Sequence, residues 1–218
     1  MTRTGAISGV ATKYLSRGDS KKLCVIRTGE QAKGLVETIL AVRDIEEILL
    51  YNRTEQKAVE FAESIRSDFG KRVQIYSDSN EAVRKADIIV TTTNSSTPVF
   101  TEALKPGVHV NAVGSFRPTM QEVPSNAISL ADKVVVESGE AALEETGDLL
   151  VPIKEGIFKA NDIYGELGQI VKGERNGRES NEEITLFKSV GLAVVDIVVA
   201  KYFYEKAIKN KVGTHINL

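Results

Sequence analysis

The chain has almost none of the residues that build cross-links or metal centres. Of its 218 residues, one is cysteine and two are histidine. The lone Cys24 excludes a disulfide framework and a cysteine-based metal site. Within its apolar run it reads as a small core residue. No pair or trio of His, Cys, Asp or Glu has ligand spacing, so no metal is expected. No Gly-x-Ser-x-Gly nucleophile elbow appears. An excess of one charge is missing too: Lys and Arg number 28, Asp and Glu 30, for a net −2. Without a long basic run the chain is not an electrostatic nucleic-acid binder. Long hydrophobic runs are absent. Val190 to Ala200 falls short of the roughly 20 residues that cross a bilayer and carries Asp196. No stretch reads as a secretory leader, so no membrane contact and a cytoplasmic location are expected. No internal repeat or low-complexity segment is visible.

What is present has the rhythm of an α/β protein. Short Val- and Ile-rich runs alternate with helical stretches after residue 20. Strands are expected at Leu23–Ile26, Glu47–Tyr51, Val73–Tyr76, Asp87–Thr92, Val108–Val113 and Lys133–Val136. Helices are expected from about Gly29 to Val42, from Glu55 to Phe69 and at Glu81–Lys85. This pattern predicts a doubly wound parallel sheet covered on both faces. The ends read differently. Ile7, Val10, Ala11, Tyr14 and Leu15 recur at helical spacing. Beyond residue 140 the chain reads as helical, with a long helix over 186–206 that is apolar nearly all round. Such a helix must be buried on several sides, by a second subunit or by material absent from this chain.

The run from Lys22 to Gly34 reads as strand, sharp turn and first helical turn, the opening of a dinucleotide-binding βαβ unit. That unit wants Gly-x-Gly-x-x-Gly/Ala. Gly29 fills the second position and Ala32 the third, but Arg27 stands where the first glycine belongs. About 20 residues on, where a carboxylate would hold the ribose of NAD, the chain has Asn52, Arg53 and Thr54. Arg53 can pair with a 2′-phosphate, so NADP(H) is favoured over NAD(H); it also reads as a surface arginine before an N-cap at Thr54. Thr91–Ser96 ends the fourth strand. Its hydroxyls and amide suit a dinucleotide's ribose and phosphates, or simply form a polar loop capping the next helix. Gly114 follows the fifth strand and permits close backbone approach. Arg117 is either a substrate contact or a solvated loop residue. His109 reads as a core histidine, and Glu140, Glu144, Glu145 and Asp148 as a solvated acidic face.

Taken together, these stretches resemble the ornithine cyclodeaminase/mu-crystallin family. The resemblance rests on Arg3–Leu15, Thr28–Ala32, Tyr51–Thr54, Ala86–Thr93, His109–Gly114, Glu145–Asp148, Gly165–Gly168 and Phe187–Gly191. It implies an α/β fold in two parts: a doubly wound parallel Rossmann sheet, and an oligomerisation domain built from the N- and C-terminal helices, incomplete here. Residues 1–19 would be a remnant of that domain, 20–185 the NAD(P)-binding domain, and 186–218 the helix returning to the oligomerisation domain. Members bind NAD(H) or NADP(H). They oxidise amino acids, reduce cyclic ketimines, or convert ornithine to proline with loss of ammonia.

Carried over by position, the resemblance implies that Arg3 pairs with a substrate carboxylate, a task suited to a bidentate guanidinium. It assigns the pyrophosphate turn to Thr28, Gly29, Gln31 and Ala32, and the adenosine ribose to Asn52, Arg53 and Thr54. Thr92, Thr93 and Asn94 would lie over the dinucleotide, Val113 and Gly114 near the nicotinamide, and Lys188, Ser189 and Gly191 along the strip closing its pocket. Three departures stand out. The family's first substrate elements, a lysine and an arginine, precede the first residue of this sequence. Ser115-Phe116-Arg117 has no aspartate where cyclodeaminases place their catalytic carboxylate, and Phe116 cannot move a proton. Arg27 crowds the cofactor turn, or its guanidinium contacts the pyrophosphate.

The expected function is an NAD(P)(H)-dependent oxidoreductase of amino metabolism, moving hydride at the α-carbon of a small amino or cyclic imino acid. The expected state is a homodimer through the C-terminal helix. The alternatives are an ornithine cyclodeaminase and a shortened, non-catalytic NADP(H)-binding protein. No catalytic acid or base is assigned.

Overall fold

The computed structural model describes residues 2–214, excepting the side chains of residues 2, 3 and 30. Eight strands form one sheet: β1 (Lys22–Ile26), β2 (Glu47–Tyr51), β3 (Arg72–Tyr76), β4 (Ile88–Thr91), β5 (His109–Ala112), β6 (Lys133–Val136), β7 (Ile163–Glu166) and β8 (Thr185–Lys188). The helices are α1 (Thr2–Leu15), α2 (Glu30–Val42), α3 (Glu55–Phe69), α4 (Ser79–Lys85), α5 (Ser125–Ser129), α6 (Gly139–Glu145), α7 (Gly147–Lys154), α8 (Leu167–Val171) and α9 (Ala193–Asn210). The strand order is β3-β2-β1-β4-β5-β8-β6-β7. Every pairing is parallel.

A parallel sheet needs cover on both faces, and successive strand residues point to opposite sides. Leu23 and Val25 of β1 join Leu35, Ile39, Ile48, Leu50 and Ile65 in a layer that includes α2 and α3 residues. Cys24 and Ile26 face the other way, among Leu49, Ile89, Val110 and Phe100. A third cluster sets Ala11 and Leu15 of α1 against Val135, Phe187, Leu167 and Ile170. The α1 helix is thus docked on the sheet. Arg43 donates to the carbonyls of Thr12, Lys13 and Ser16 at 2.9–3.1 Å, satisfying acceptors that a helix end leaves open. Arg178 donates to the Leu15 carbonyl at 2.6 Å.

The expected helix over 186–206 is corrected. Thr185–Lys188 is a central strand between β5 and β8's other neighbour β6, and the helix starts only at Ala193. A short, fully buried apolar run looks alike as strand or helix, which is why periodicity failed there. Gly191, at φ +93°, lies between the two elements. β7 was missed for a different reason: Ile163–Glu166 is a four-residue strand that is only half-buried and holds a glycine and a glutamate. As expected of a helix whose cover lies outside this chain, α9 has no buried residue, and Ile197 is 69% exposed. Among the described residues, no helix is long and apolar enough to cross a membrane.

His109 lies in the sheet interior, with Nδ1 2.9 Å from Thr185 Oγ1. Burial pushes its imidazole down to about 3, and the nearby Arg178 and Arg43 charges act in the same sense. An unfolded histidine takes its proton near 6.5. Between those values the unfolded chain binds more protons than the native one, so His109 lowers stability as pH falls from about 6.5 towards 3. His109→Gln should flatten this part of the pH profile of urea unfolding; an unchanged slope would mean that His109 titrates normally.

Candidate functional site

In an open α/β sheet, ligands bind outside the carboxyl ends of the strands, where the order reverses. Here that point lies between β1 and β4. A cleft of about 740 Å³ opens there, lined by the turn after β1, the end of β2 and the loop after β4. It gathers Thr28, Gly29, Asn52, Arg53, Thr54, Thr93 and Asn94 from the expected set. Arg27, Lys57 and the stretch Ser95–Val99 complete much of the wall.

The local chain explains this arrangement. After β1 the backbone turns sharply: Arg27 N still donates to Tyr51 O at 2.8 Å, and the Thr28 amide donates to Asn52 Oδ1 at 3.3 Å. Asn52 Nδ2 donates to Thr54 O, which fixes the start of α3. Gly29 caps α2 without a side-chain bond. A Cβ at Gly29 would meet only Arg27 Nε, at 4.0 Å, so the space before the helix is open. The amides of the first turn of this 13-residue helix lack intrahelical acceptors, and such a terminus favours an anion.

Arg27 adopts φ +77°, the left-handed conformation that glycine takes without cost. The motif's preference for glycine there is therefore a backbone requirement that Arg27 meets under strain. Its Nη1 donates to Asn94 Oδ1 at 2.5 Å, bridging the β1–α2 turn and the loop after β4. Thr92 Oγ1 donates to Arg27 O from the same side.

Other expected residues take different roles. Ala32 is fully buried in the core and offers packing, not ligand contact. Gln31 is exposed on α2. The Arg3 side chain lies outside the described residues. Val113 packs in the core, while Gly114, Lys188, Ser189 and Gly191 stand at the ends of β5 and β8, outside the lining of this cleft. Lys188 is not a free cation: fully buried, it pairs at 2.9 Å with Asp148, itself fully buried. That corrects the solvated reading of Asp148, though Glu140, Glu144 and Glu145 are exposed. Ser189 Oγ and the Gly191 amide both donate to Glu137 Oε2.

Sequence reasoning missed Glu122. This buried carboxylate accepts the amides of Thr93, Gly114 (2.6 Å) and Ser115 (2.9 Å). Burial raises its carboxyl above the usual range; Lys188 pulls the other way, and Asp148 adds to the rise. Within Gln121-Glu122-Val123-Pro124 nothing marks it out, and Lys57 likewise looks like any helix-surface lysine.

A profile of the ornithine cyclodeaminase/mu-crystallin family matches residues 1–211. A Δ1-pyrroline-2-carboxylate reductase of Bacillus cereus is 69% identical over 216 residues, which are 99% of this chain and 66% of that protein. The ketimine reductase mu-crystallin of Rattus norvegicus is 39% identical over 93% of this chain and 61% of its own length. The structure of the Thermococcus litoralis Δ1-pyrroline-2-carboxylate reductase with NADH and L-proline superposes with a TM-score of 0.93 at 41% identity, covering 98% of this chain and 66% of that one. The chain thus spans somewhat less than two thirds of these relatives.

Replacing Arg27 by glycine removes the strained turn. Arg27→Gly should stabilise the chain by about 1 kcal/mol in urea unfolding and tighten dinucleotide binding. Weaker binding in that variant would instead make the guanidinium a phosphate ligand.

Proposed function

The chain belongs to the ornithine cyclodeaminase/mu-crystallin family, and from that membership we propose that it is the dinucleotide-binding part of an NADP(H)-dependent reductase of cyclic imino acids. The observation that carries this reading is the cleft at the strand-order reversal, with its open Gly29 turn beneath a helix N-terminus. The names of the two reductases reported above support the substrate class.

The residues present fit such a cofactor. Thr28, Gly29 and the first turn of α2 would hold the pyrophosphate. The end of β2 carries no carboxylate to repel a 2′-phosphate; Arg53 is exposed at the cleft wall, and Lys57 lines it too. That is why NADP(H) is preferred over NAD(H). Thr92, Thr93 and Asn94 would border the ribose and phosphates. Val113, Gly114, Ser189 and Gly191 would face the nicotinamide end, with Lys188 fixed behind them by Asp148. Arg3 would pair with the substrate carboxylate. When bound, the cofactor would supply hydride to the imine carbon, the balancing proton coming from solvent. Phe116 and Arg117 are exposed, and no carboxylate stands between Ser115 and Pro118, which disfavours the cyclodeaminase reaction. The protein's contribution is orientation.

The exposed apolar side chains of α9 support self-association. Ile197, Val198, Phe203 and Ile208 are all exposed around the helix, apolar surface that solvent disfavours. Pairing two copies through this helix would cover it.

Fluorescence titration with NADPH and NADH tests the first step. Tighter NADPH binding is expected, and Arg53→Ala should cost about tenfold for NADPH while sparing NADH, in line with a lost charge-assisted contact. With Δ1-pyrroline-2-carboxylate, one proline should form per NADPH consumed. Binding without turnover would identify a cofactor-binding protein, and no emission change with either dinucleotide would end the reading.

A further inference from the structure

We propose that Glu122 is the positioning residue of the dinucleotide site, a buried carboxylate that sets the spacing of the loops after β4 and β5. The inference rests on the dinucleotide reading above and adds a residue to it. Glu122 lies in neither the glycine turn nor the lining of the cleft. Its oxygens divide between two loops: Oε1 accepts the Thr93 amide, and Oε2 accepts those of Gly114 and Ser115. Those loops touch backbone to backbone, since a Cβ on Gly114 would collide with the Thr93 backbone. The same short segment holds the cleft loop at two further points. Gln121 N donates to Ser95 O at 2.9 Å, and Val99 N to Glu122 O at 2.8 Å.

Glu122 is anchored in turn. Asp148 Oδ1 accepts the amides of Glu122 (2.6 Å) and Val123 (3.0 Å), while Oδ2 pairs with Lys188 of β8. A chain of charge-assisted bonds therefore runs from β8 through Asp148 and Glu122 to the cleft wall, and across Asn94 to Arg27. Packing alone does not call for a carboxylate here, because burying one is costly unless its oxygens are satisfied. Three converging amides demand two acceptor oxygens, which a carboxylate has and a carboxamide lacks. In Glu122→Gln, the NH₂ group must face at least one backbone N–H. One loop then swings free of the other, and the strip from Thr93 to Val99 loses its place against the Gly29 turn.

The test is a three-way NADPH titration of wild type, Glu122→Gln and Ile170→Ala, each with a thermal melt. Ile170 is buried under α1, in a separate cluster from the cleft, and serves as a destabilised control. Glu122→Gln should weaken NADPH binding by about tenfold or more, while Ile170→Ala stays within about twofold of wild type. Binding within that margin in Glu122→Gln, or an equal loss in Ile170→Ala, overturns the proposal. Failure of wild type to bind either dinucleotide overturns the parent reading instead, and this one with it. Should Glu122→Gln not fold, amide exchange of the wild-type chain decides. The Thr93, Gly114 and Ser115 amides should exchange together and more slowly than Asn94 and Phe116. Exchange of the three at loop rates overturns the clamp.

Discussion

All strands of the sheet run the same way, so every carboxyl end emerges on one edge. Loops that would otherwise be scattered over a 218-residue chain are forced into a single row. The order reversal between β1 and β4 then parts that row, since the loops leaving these neighbours go to opposite sides. The cleft follows from this geometry before any particular side chain is considered. Side chains decide only what the opening can hold, and here most are small, hydroxylic or cationic, with two asparagines among them.

Keeping such an opening in shape is expensive for the backbone. Loop amides at a sheet edge have no strand neighbour and need other acceptors. Around the crevice these come from buried and half-buried carboxylates. Glu122 serves the β4 and β5 ends, Asp148 the segment carrying Glu122, and Glu137 the stretch after β8. Among the described residues, only Lys188 supplies a compensating buried positive charge to this set, through Asp148. A buried pair of this kind adds little net stability, yet removing one partner costs about 3–5 kcal/mol. Its value lies in admitting one arrangement of three strand ends.

Much of the fold could be read from local pattern. The limits of β2, α3 and β6 fall where alternation, caps and turn residues place them. The turn at Arg27–Gly29 was recognisable because its requirements are local: a left-handed residue, then an open position, then a helix start. Gathering Asn52, Arg53 and Thr54 with Thr93 and Asn94 needed only the parallel topology. The segment after residue 140 was not legible in the same way. Thr185–Lys188 is so thoroughly buried that nothing in it alternates, and its neighbours β5 and β6 are distant in sequence.

The sequence by itself determined the class of fold, the sharp turn after β1 and the absence of a carboxylate in Asn52–Thr54 at the end of β2. Each of these depends on residues a few positions apart. Tertiary structure alone decided the states of Glu122, Asp148 and Lys188. They lie 26 and 40 residues apart along the chain, and as isolated letters they are ordinary surface charges. It also decided that no residue of α9 is buried by this chain, despite a composition that asks for cover. Periodicity reports which faces want burial, but the meeting of distant segments determines which of them find it.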